Sequence, residues 1–394
     1  MKSNYKKIGD HIRLVDKRNN GLKVNRLLGL SISKQFIPSV ANLIGTDMEN
    51  YKIIRKNQFA CSTMQVRRDK KMPVALLQEV DEAIISQAYP VFEVIDTNEL
   101  LPEYLMMWFS RQEFDREACF YAIGGVRGSL EWEDFCEMKL PIPAIDKQKE
   151  IVKEYNTIVN RINLNNQLIQ KLEETAQAIY KHWFVDFEFP DEDGRPYKSN
   201  GGEMEFCEEL KKEIPRGWKV GVLGEIIKLF DSKRIPIAES ERMEMPKLYP
   251  YYGAASLMDY VEDYIFDGTY VLLGEDGSVI TENGFPVLQF VWGKFWVNNH
   301  AHIIQGKNGF DTDSIYILLK NTSVNEIITG GVQAKISQAN LTSIPVIIPD
   351  EKFIPKLNKV MKPIFNYRKS AVEYNNISNK LLNILLSKLA TIES

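Results

Sequence analysis

The sequence predicts an α+β chain. Two similar mixed α/β domains are separated by two long antiparallel helices that form a coiled coil, and internal duplication relates the halves by a pseudo-two-fold. Three observations predict this. The passage AIGGVRGSLEWEDFCEMKLPIPAID, residues 122–146, returns near the end of the chain as ITGGVQAKISQANLTSIPVIIPD, residues 328–350. A long polar–apolar stretch with helical spacing follows each copy. Ahead of the second copy lie β-branched and aromatic runs bounded by glycine turns, which read as strands, and ahead of the first lies a stretch rich in Tyr, Phe, Val and Ile with turn signals such as NNG at 19–21.

The elements follow in order. Residues 1–145 form a first globular domain, rich in Tyr, Phe, Val and Ile. Residues 146–188 form the first long helix. Its seam is Ile151, Tyr155, Ile158, Ile162, Asn165, Ile169, Leu172, Ala176, Ile179 and Trp183, in strict 4-3 spacing with one polar member, Asn165. No Gly or Pro interrupts 145–188, and about 40 residues at ~1.5 Å rise make a rod of roughly 60 Å. Residues 189–217, with two Gly-rich turns and three prolines, read as a linker that runs from ordered to flexible, not as a helix. Residues 218–349 form a second globular domain, with strand candidates GTYVLLG, PVLQFVWGKFWVNN and HAHIIQG. Residues 350–394 form the second long helix, with a seam at Phe353, Leu357, Val360, Ile364, Tyr367, Ala371, Tyr374, Ser378, Leu381 and Leu385. Pro355 suits a first helical turn, whereas Pro363 predicts a kink or a late start. Each apolar seam needs a partner, and the order of elements lets the two rods meet only antiparallel.

Composition narrows the function. At 394 residues, with 44% apolar and 26% charged content, the chain suits two or three globular domains. No apolar run reaches the about 18 residues of a membrane span, and MKSNYKKIGD has no secretory apolar core. Cys61, Cys119, Cys136 and Cys207 are scattered and read as reduced thiols of a cytoplasmic protein. The net charge of -4 conceals a gradient: residues 1–75 hold 16 Lys/Arg against 5 Asp/Glu, while 76–145 hold 4 against 14. A polyanion responds to the local face rather than the total.

The phrases GGVRGSLEWEDFCEMKLPIPAIDKQKEIV, EIPRGWKVGVLGEI, YPYYGAASLMDYVEDYIFDGTYVLLGEDG and VNNHAHII, in this order and duplication, resemble the specificity subunit of type I restriction–modification enzymes. The resemblance covers essentially the whole chain. Where that family reads apolar-Pro-x-Pro and then Glu-Gln, this chain has Lys147-Gln148 in the first copy. The second copy departs further, with Glu351-Lys352 and then Phe353. The resemblance implies a non-catalytic DNA-reading subunit with two target recognition domains, each reading half of a split double-stranded site. It also implies helices that dock two methyltransferase subunits, which would carry the S-adenosylmethionine, and a motor-nuclease subunit able to join.

The residues themselves agree in part. An adenine methyltransferase needs an Asn/Asp-Pro-Pro-aromatic motif beside a glycine-rich cofactor turn, and an ATPase needs G-x-x-x-x-G-K-[ST]; the sequence has neither. Pro190-Asp191 with Glu209-Leu210-Lys211 mimics a nuclease motif but falls in the linker. His300 and His302 sit two apart on one strand face, with no Cys or further His near them to complete a zinc site. Base edges are read by forked donors and amides, backbones by Lys, Arg and hydroxyls. In the first domain the DNA candidates are Lys34, Gln35, the loop residues Arg67, Arg68, Lys70 and Lys71, and Arg127 among glycines. In the second they are Lys233, Arg234, Tyr251, Tyr252, Asn298, Asn299, His300, Gln333 and Lys335. A competing reading is a non-catalytic adaptor whose paired domains bind protein or carbohydrate, which aromatic loops such as YPYYG permit. A piece of a fused restriction enzyme is a third, which the missing catalytic motifs oppose.

Overall fold

The computed structural model describes residues 5–39, 47–64, 66–122, 128–330 and 333–391. It divides into two compact units, Met1–Asn165 with Glu373–Ser394, and Asn166–Val372. Each unit contains one globular domain and a segment of both long helices.

In the first unit an antiparallel sheet runs in the order Ile12–Leu14, Val91–Val94, Gln58–Cys61, Val74–Leu76. Helices Pro102–Phe109 and Gln112–Tyr121 pack with it, the first opened by proline at a position where the missing N–H costs nothing. The core is aromatic. Phe59 stacks on Phe92 at 4.9 Å, and Phe109 and Phe135 pack around them.

The second unit holds a six-stranded sheet, ordered Ile227–Leu229, Ala301–Gly306, Phe266–Gly274, Leu288–Val297, Tyr249–Tyr252, Leu257–Val261. Its pairings are antiparallel except that Tyr249–Tyr252 runs parallel to Leu288–Val297. The duplication is visible in the backbone. Tyr5–Lys7 pairs antiparallel with Lys139–Pro141, and Lys219–Val222 pairs antiparallel with Pro345–Ile348. In each copy the proline-rich end of the repeated passage is therefore a strand clamped to the start of its own domain, and the long helix follows directly.

The first long helix, Ile145–Phe184, is unbroken over 40 residues. Every expected seam residue is buried or half-buried, from Ile151, Tyr155, Ile158 and Ile162 through Asn165, Ile169 and Leu172 to Ala176, Ile179 and Trp183. Gln148 anchors its start. The side chain is fully buried, accepts from the Leu101 backbone N–H at 2.9 Å, and donates to the carbonyls of Glu99 and Pro143. The second copy lacks this glutamine. Phe353 takes over the anchoring and packs edge-on to Trp183, Phe184 and Phe189.

The second long helix is Ile354–Lys388, and its seam corrects part of the sequence reading. It passes through an exposed Pro363 with no late start. Its buried seam is Leu357, Met361, Ile364, Arg368, Ala371, Asn375, Ser378, Leu382, Leu385 and Leu389. Seven expected positions are buried or half-buried: Phe353, Leu357, Val360, Ile364, Ala371, Ser378 and Leu385. At the other three the burial shifts by one residue, leaving Tyr367 62% exposed, Tyr374 49% and Leu381 45%. Apolarity favoured the tyrosines, but the seam accepts Arg368 and Asn375 because each meets a polar partner: Glu173 at 3.7 Å for Arg368, Asn165 at 2.9 Å for Asn375.

In the first unit the start of the first helix (Ile151, Tyr155) and the end of the second (Leu386, Leu389) share one core; in the second unit the roles reverse, with Ala176 and Trp183 beside Leu357, Met361 and Phe365. The pairing is antiparallel in both. The stretch expected to be a linker is not helical, yet it contains an ordered hairpin, Met204–Cys207 with Lys212–Pro215. Beside the hairpin, Phe189 stacks on Tyr197 at 4.5 Å and on Trp218 at 5.0 Å, which fastens the segment to the second domain. Among the described residues no helix is long and apolar enough to cross a membrane.

Candidate nucleic-acid interface

In the first unit the segment MQVRRDKKMP folds partly as a short helix, Val66–Asp69, where a loop was expected. Buried Val66 anchors it, while Arg67, Arg68, Lys70 and Lys71 are exposed. Arg68 spends two donors on Asp69, at 2.6 and 3.1 Å. Arg67 lies against Gly128, where a Cβ would come within 2.7 Å of the arginine Cβ, so only glycine permits that approach. Arg127 lies outside the described residues.

Lys34 is not part of this exposed set. Its amine is buried, bonded to Asp115 at 2.8 Å and to the Phe109 carbonyl, and it sits 5.0 Å from the Phe114 ring centroid. Burial pushes the Lys34 amine down from the usual lysine range, against the pull of Asp115. Asp115 also accepts from the Met72 backbone N–H at 3.1 Å. Lys34 therefore fastens the basic segment from beneath. Gln35 is exposed and shares with Lys70, Lys71 and Arg116 a groove of about 820 Å³. Arg116 was missed because it sits in an acidic stretch, where sequence alone gives no sign that it joins the basic segment.

The second unit gathers its candidates more closely. The backbone of Glu275 donates to His300 O at 2.9 Å, Gly277 donates to Ala334 O at 3.0 Å, and Arg234 donates to the carbonyls of Asn299 and Ala301. Thr329 and Lys335 exchange two backbone hydrogen bonds, closing the turn that contains Gln333. Four chain segments thus converge: 233–234, 275–277, 298–301 and 333–335. Lys233, Asn299, Gln333 and Lys335 are exposed, and His300 is half-exposed with Nδ1 2.5 Å from Asp276.

Four of the expected contact residues face inward instead. Tyr251 is 1% exposed, and its hydroxyl meets the Ile237 backbone. Tyr252 packs edge-on to Phe295. Asn298 is buried, its carbonyl oxygen accepting from His300 N at 2.8 Å. Arg234 bonds Glu275 at 2.5 Å. Aromatic and amide side chains look alike in sequence whether they shape a loop or project from it.

Beneath the four segments lies a charged layer that sequence reasoning missed. His302 is fully buried, with Nδ1 2.6 Å from Asp231 and Nε2 2.8 Å from the Ile336 carbonyl. Asp231 also accepts from Ile303 N at 2.8 Å and Gln338 Nε2 at 2.6 Å. Burial works against charge on Asp231 and on Glu275. For Asp231 the bonds from His302, Ile303 and Gln338 outweigh it, and for Glu275 the bond from Arg234 and the nearby positive charges do so, holding both carboxyls below their usual range. Asp231, Glu275 and His302 are close enough to hold a metal ion. Their donor atoms, however, already meet hydrogen-bond partners, and a cation would have to displace the Arg234 guanidinium. The carboxylates lie 27 and 71 positions before His302 in the chain, so no spacing motif announces the cluster.

Each unit joins one α/β domain, with exposed basic and amide side chains held from below, to segments of both long helices: this is the architecture of a duplicated chain. Residues 40–174 and 215–353 match the family described as the type I restriction modification DNA specificity domain, and the chain belongs to that family. A Haemophilus influenzae protein assigned as a type I restriction enzyme specificity subunit is 35% identical over 156 residues, 40% of this chain and 39% of that protein. The chain therefore matches about two fifths of that relative's length. The MjaIX specificity subunit of Methanocaldococcus jannaschii is 21% identical over 317 residues, 75% of this chain and 70% of that one. The crystal structure of a type I restriction-modification system S subunit from M. genitalium has the same fold, with a TM-score of 0.54 and 15% identity over 99% of this chain and 96% of that one.

Proposed function

We propose that this chain is the DNA-recognition subunit of a type I restriction–modification complex. Its two domains each read one half of a split double-stranded site, and its helices dock methyltransferase subunits. In this reading the chain performs no chemistry. S-adenosylmethionine and the methyl transfer belong to the methyltransferase partners, and a motor-nuclease subunit can join the assembly. The observation that carries the reading is the doubled specificity domain, each copy with exposed Lys, Arg, Asn or Gln on convergent loops. Cations supply sequence-independent affinity for phosphate, and amides and forked donors discriminate base edges.

A second observation supports docking. Tyr374, Ile377, Leu381 and Ile384 form an exposed apolar stripe at 3-4-3 spacing on the second helix. Tyr374 and Leu381 line a groove of about 500 Å³ with Ile158, Arg161 and Leu164 of the first helix. A stripe of this width on a helix pair suits another amphipathic helix.

The test is reconstitution. The purified chain alone is expected to transfer no methyl groups, and activity is expected on adding a methyltransferase subunit. Replacing Arg67, Arg68, Lys70 and Lys71 together with Ala is expected to weaken DNA binding and flatten its salt dependence, by roughly 0.9 in log–log slope for each phosphate no longer neutralised. Robust methylation by the isolated chain, or binding with no salt dependence, sinks the reading.

A further inference from the structure

We infer that His302 is a positioning residue for the second domain's base readout: a buried imidazole whose two ring nitrogens, each bonded to a different segment, lock together the segments that carry Lys233, Asn299, His300, Gln333 and Lys335. This rests on the DNA-reading function proposed above.

The ring is bonded through both nitrogens. The Ile336 carbonyl oxygen 2.8 Å from Nε2 can only accept, so Nε2 donates. On the other side, Nδ1 lies 2.6 Å from Asp231 Oδ2, and Asp231 also accepts from Ile303 N through Oδ1 and from Gln338 Nε2 through Oδ2. The ring is thus held from both sides. It lies 3.9 Å from Glu275, which pairs with Arg234 at 2.5 Å and Lys335 at 3.4 Å. Asp231 and His302 are buried, Glu275 and Arg234 are largely covered, and the outermost cation, Lys335, is half-exposed.

Each bond ties down a different reading segment. Asp231 opens the turn bearing Lys233 and Arg234. Arg234 holds the Asn299–Ala301 backbone, and Ile336 adjoins Lys335 while its own N–H donates to Glu275 O at 2.8 Å. His302 itself is fully buried and touches no solvent. It acts through the loops it joins. A replacement whose donors do not reach both partners leaves one of them as a buried acceptor with one donor fewer.

Two measurements on the full chain test this. With ¹⁵N-histidine labelling, the four histidines give few signals. The His302 ring is expected to show a slowly exchanging proton on Nε2, as the bond to the Ile336 carbonyl requires. An unprotonated Nε2 overturns the assignment. Separately, the chain reconstituted with a methyltransferase subunit is assayed by methylation-motif sequencing. His302→Gln is expected to reduce discrimination by roughly ten-fold or more at bases of one half-site and to leave the other half-site unchanged. Gln338→Ala, which removes one donor to Asp231 from a more exposed position, is expected to relax the same half-site to a smaller degree, and it decides the question if His302→Gln does not fold. An unchanged motif in a folded variant, or equal loosening of both half-sites, overturns the positioning role. Failure of the wild-type chain to bind DNA would instead remove the function on which it rests, while the labelling result would still stand.

Discussion

Lys34 shows why single residues are the hardest scale to read. Its sequence context, SISKQFIP, offers a cation on a turn, and the structure turns that cation inward onto Asp115. Removing one partner of a buried pair strands the other, so Lys34→Met is expected to cost about 3 kcal/mol in urea unfolding while leaving the salt slope of DNA binding unchanged. A phosphate contact would behave in the opposite way. Asp313 gives a second residue-scale prediction. Burial pushes its carboxyl up from 3.8 to about 6, against the pull of Lys369, Lys362 and Arg368. The native state then holds a proton that the unfolded chain releases earlier. Its stabilising contribution is complete below about pH 3.8 and is lost as pH rises through about 6. Asp313→Asn is expected to abolish that slope and to stabilise the protein above pH 6 by on the order of 2 kcal/mol, measured by urea titration across pH 4–7. Nothing in the sequence distinguished Asp313 from surface residues, and the pairing of His300 with His302 did not disclose the buried carboxylate beside His302, because burial depends on partners far away in the chain.

At the scale of elements the sequence was far more legible, and the exceptions are instructive. Period alone placed the first long helix and its whole seam. On the second helix the same method followed Tyr367 and Tyr374 and missed Arg368 and Asn375, because a single helix does not reveal which polar residues its partner will satisfy. The hairpin within 204–215 was hidden by glycines and acids that read as a linker. The Asn165–Asn375 rung is expected to show a coupling of about 1 kcal/mol in a double-mutant cycle with leucine at each position, the paired replacement costing less than the two singles together. The exposed stripe makes a separate prediction. Ile377→Glu with Ile384→Glu is expected to leave thermal unfolding within a few degrees of wild type, since both side chains are at least half exposed, and to abolish co-purification with a methyltransferase subunit. A large fall in melting temperature would place these residues in the fold instead.

For the whole molecule the duplication was legible from the repeated passage, and the fold class with it. The topology inside each domain was not, because short strands can pair in many orders. The antiparallel helix pair allows a test of how a split site is measured. Seven residues inserted between Leu164 and Asn165, matched by seven after Asn375, fall on the same side of the Asn165–Asn375 rung and preserve the seam. They add about 10 Å of helix, near the rise of three base pairs. If helix length sets the distance between half-sites, methylation-motif sequencing is expected to show a longer unread spacer with the same bases read in each half. Affinity should also fall, because three base pairs turn the duplex by roughly a third of a turn of ~10.5. An unaltered spacer would place the control of distance in the domains.

The first domain's core includes Leu386 and Leu389, and Tyr5 donates its hydroxyl to the Ala390 carbonyl at 2.9 Å. A ribosome that has finished the first domain must therefore make the whole second domain before the first can close. At roughly 5–20 residues per second that delay is on the order of ten to fifty seconds. Throughout it, the surface around Ile151 and Tyr155 lacks its cover. The nascent chain thus carries a sticky patch whose only permanent remedy is still untranslated. Chaperone occupancy is expected to peak on ribosomes paused within that interval and to fall once Leu389 has emerged.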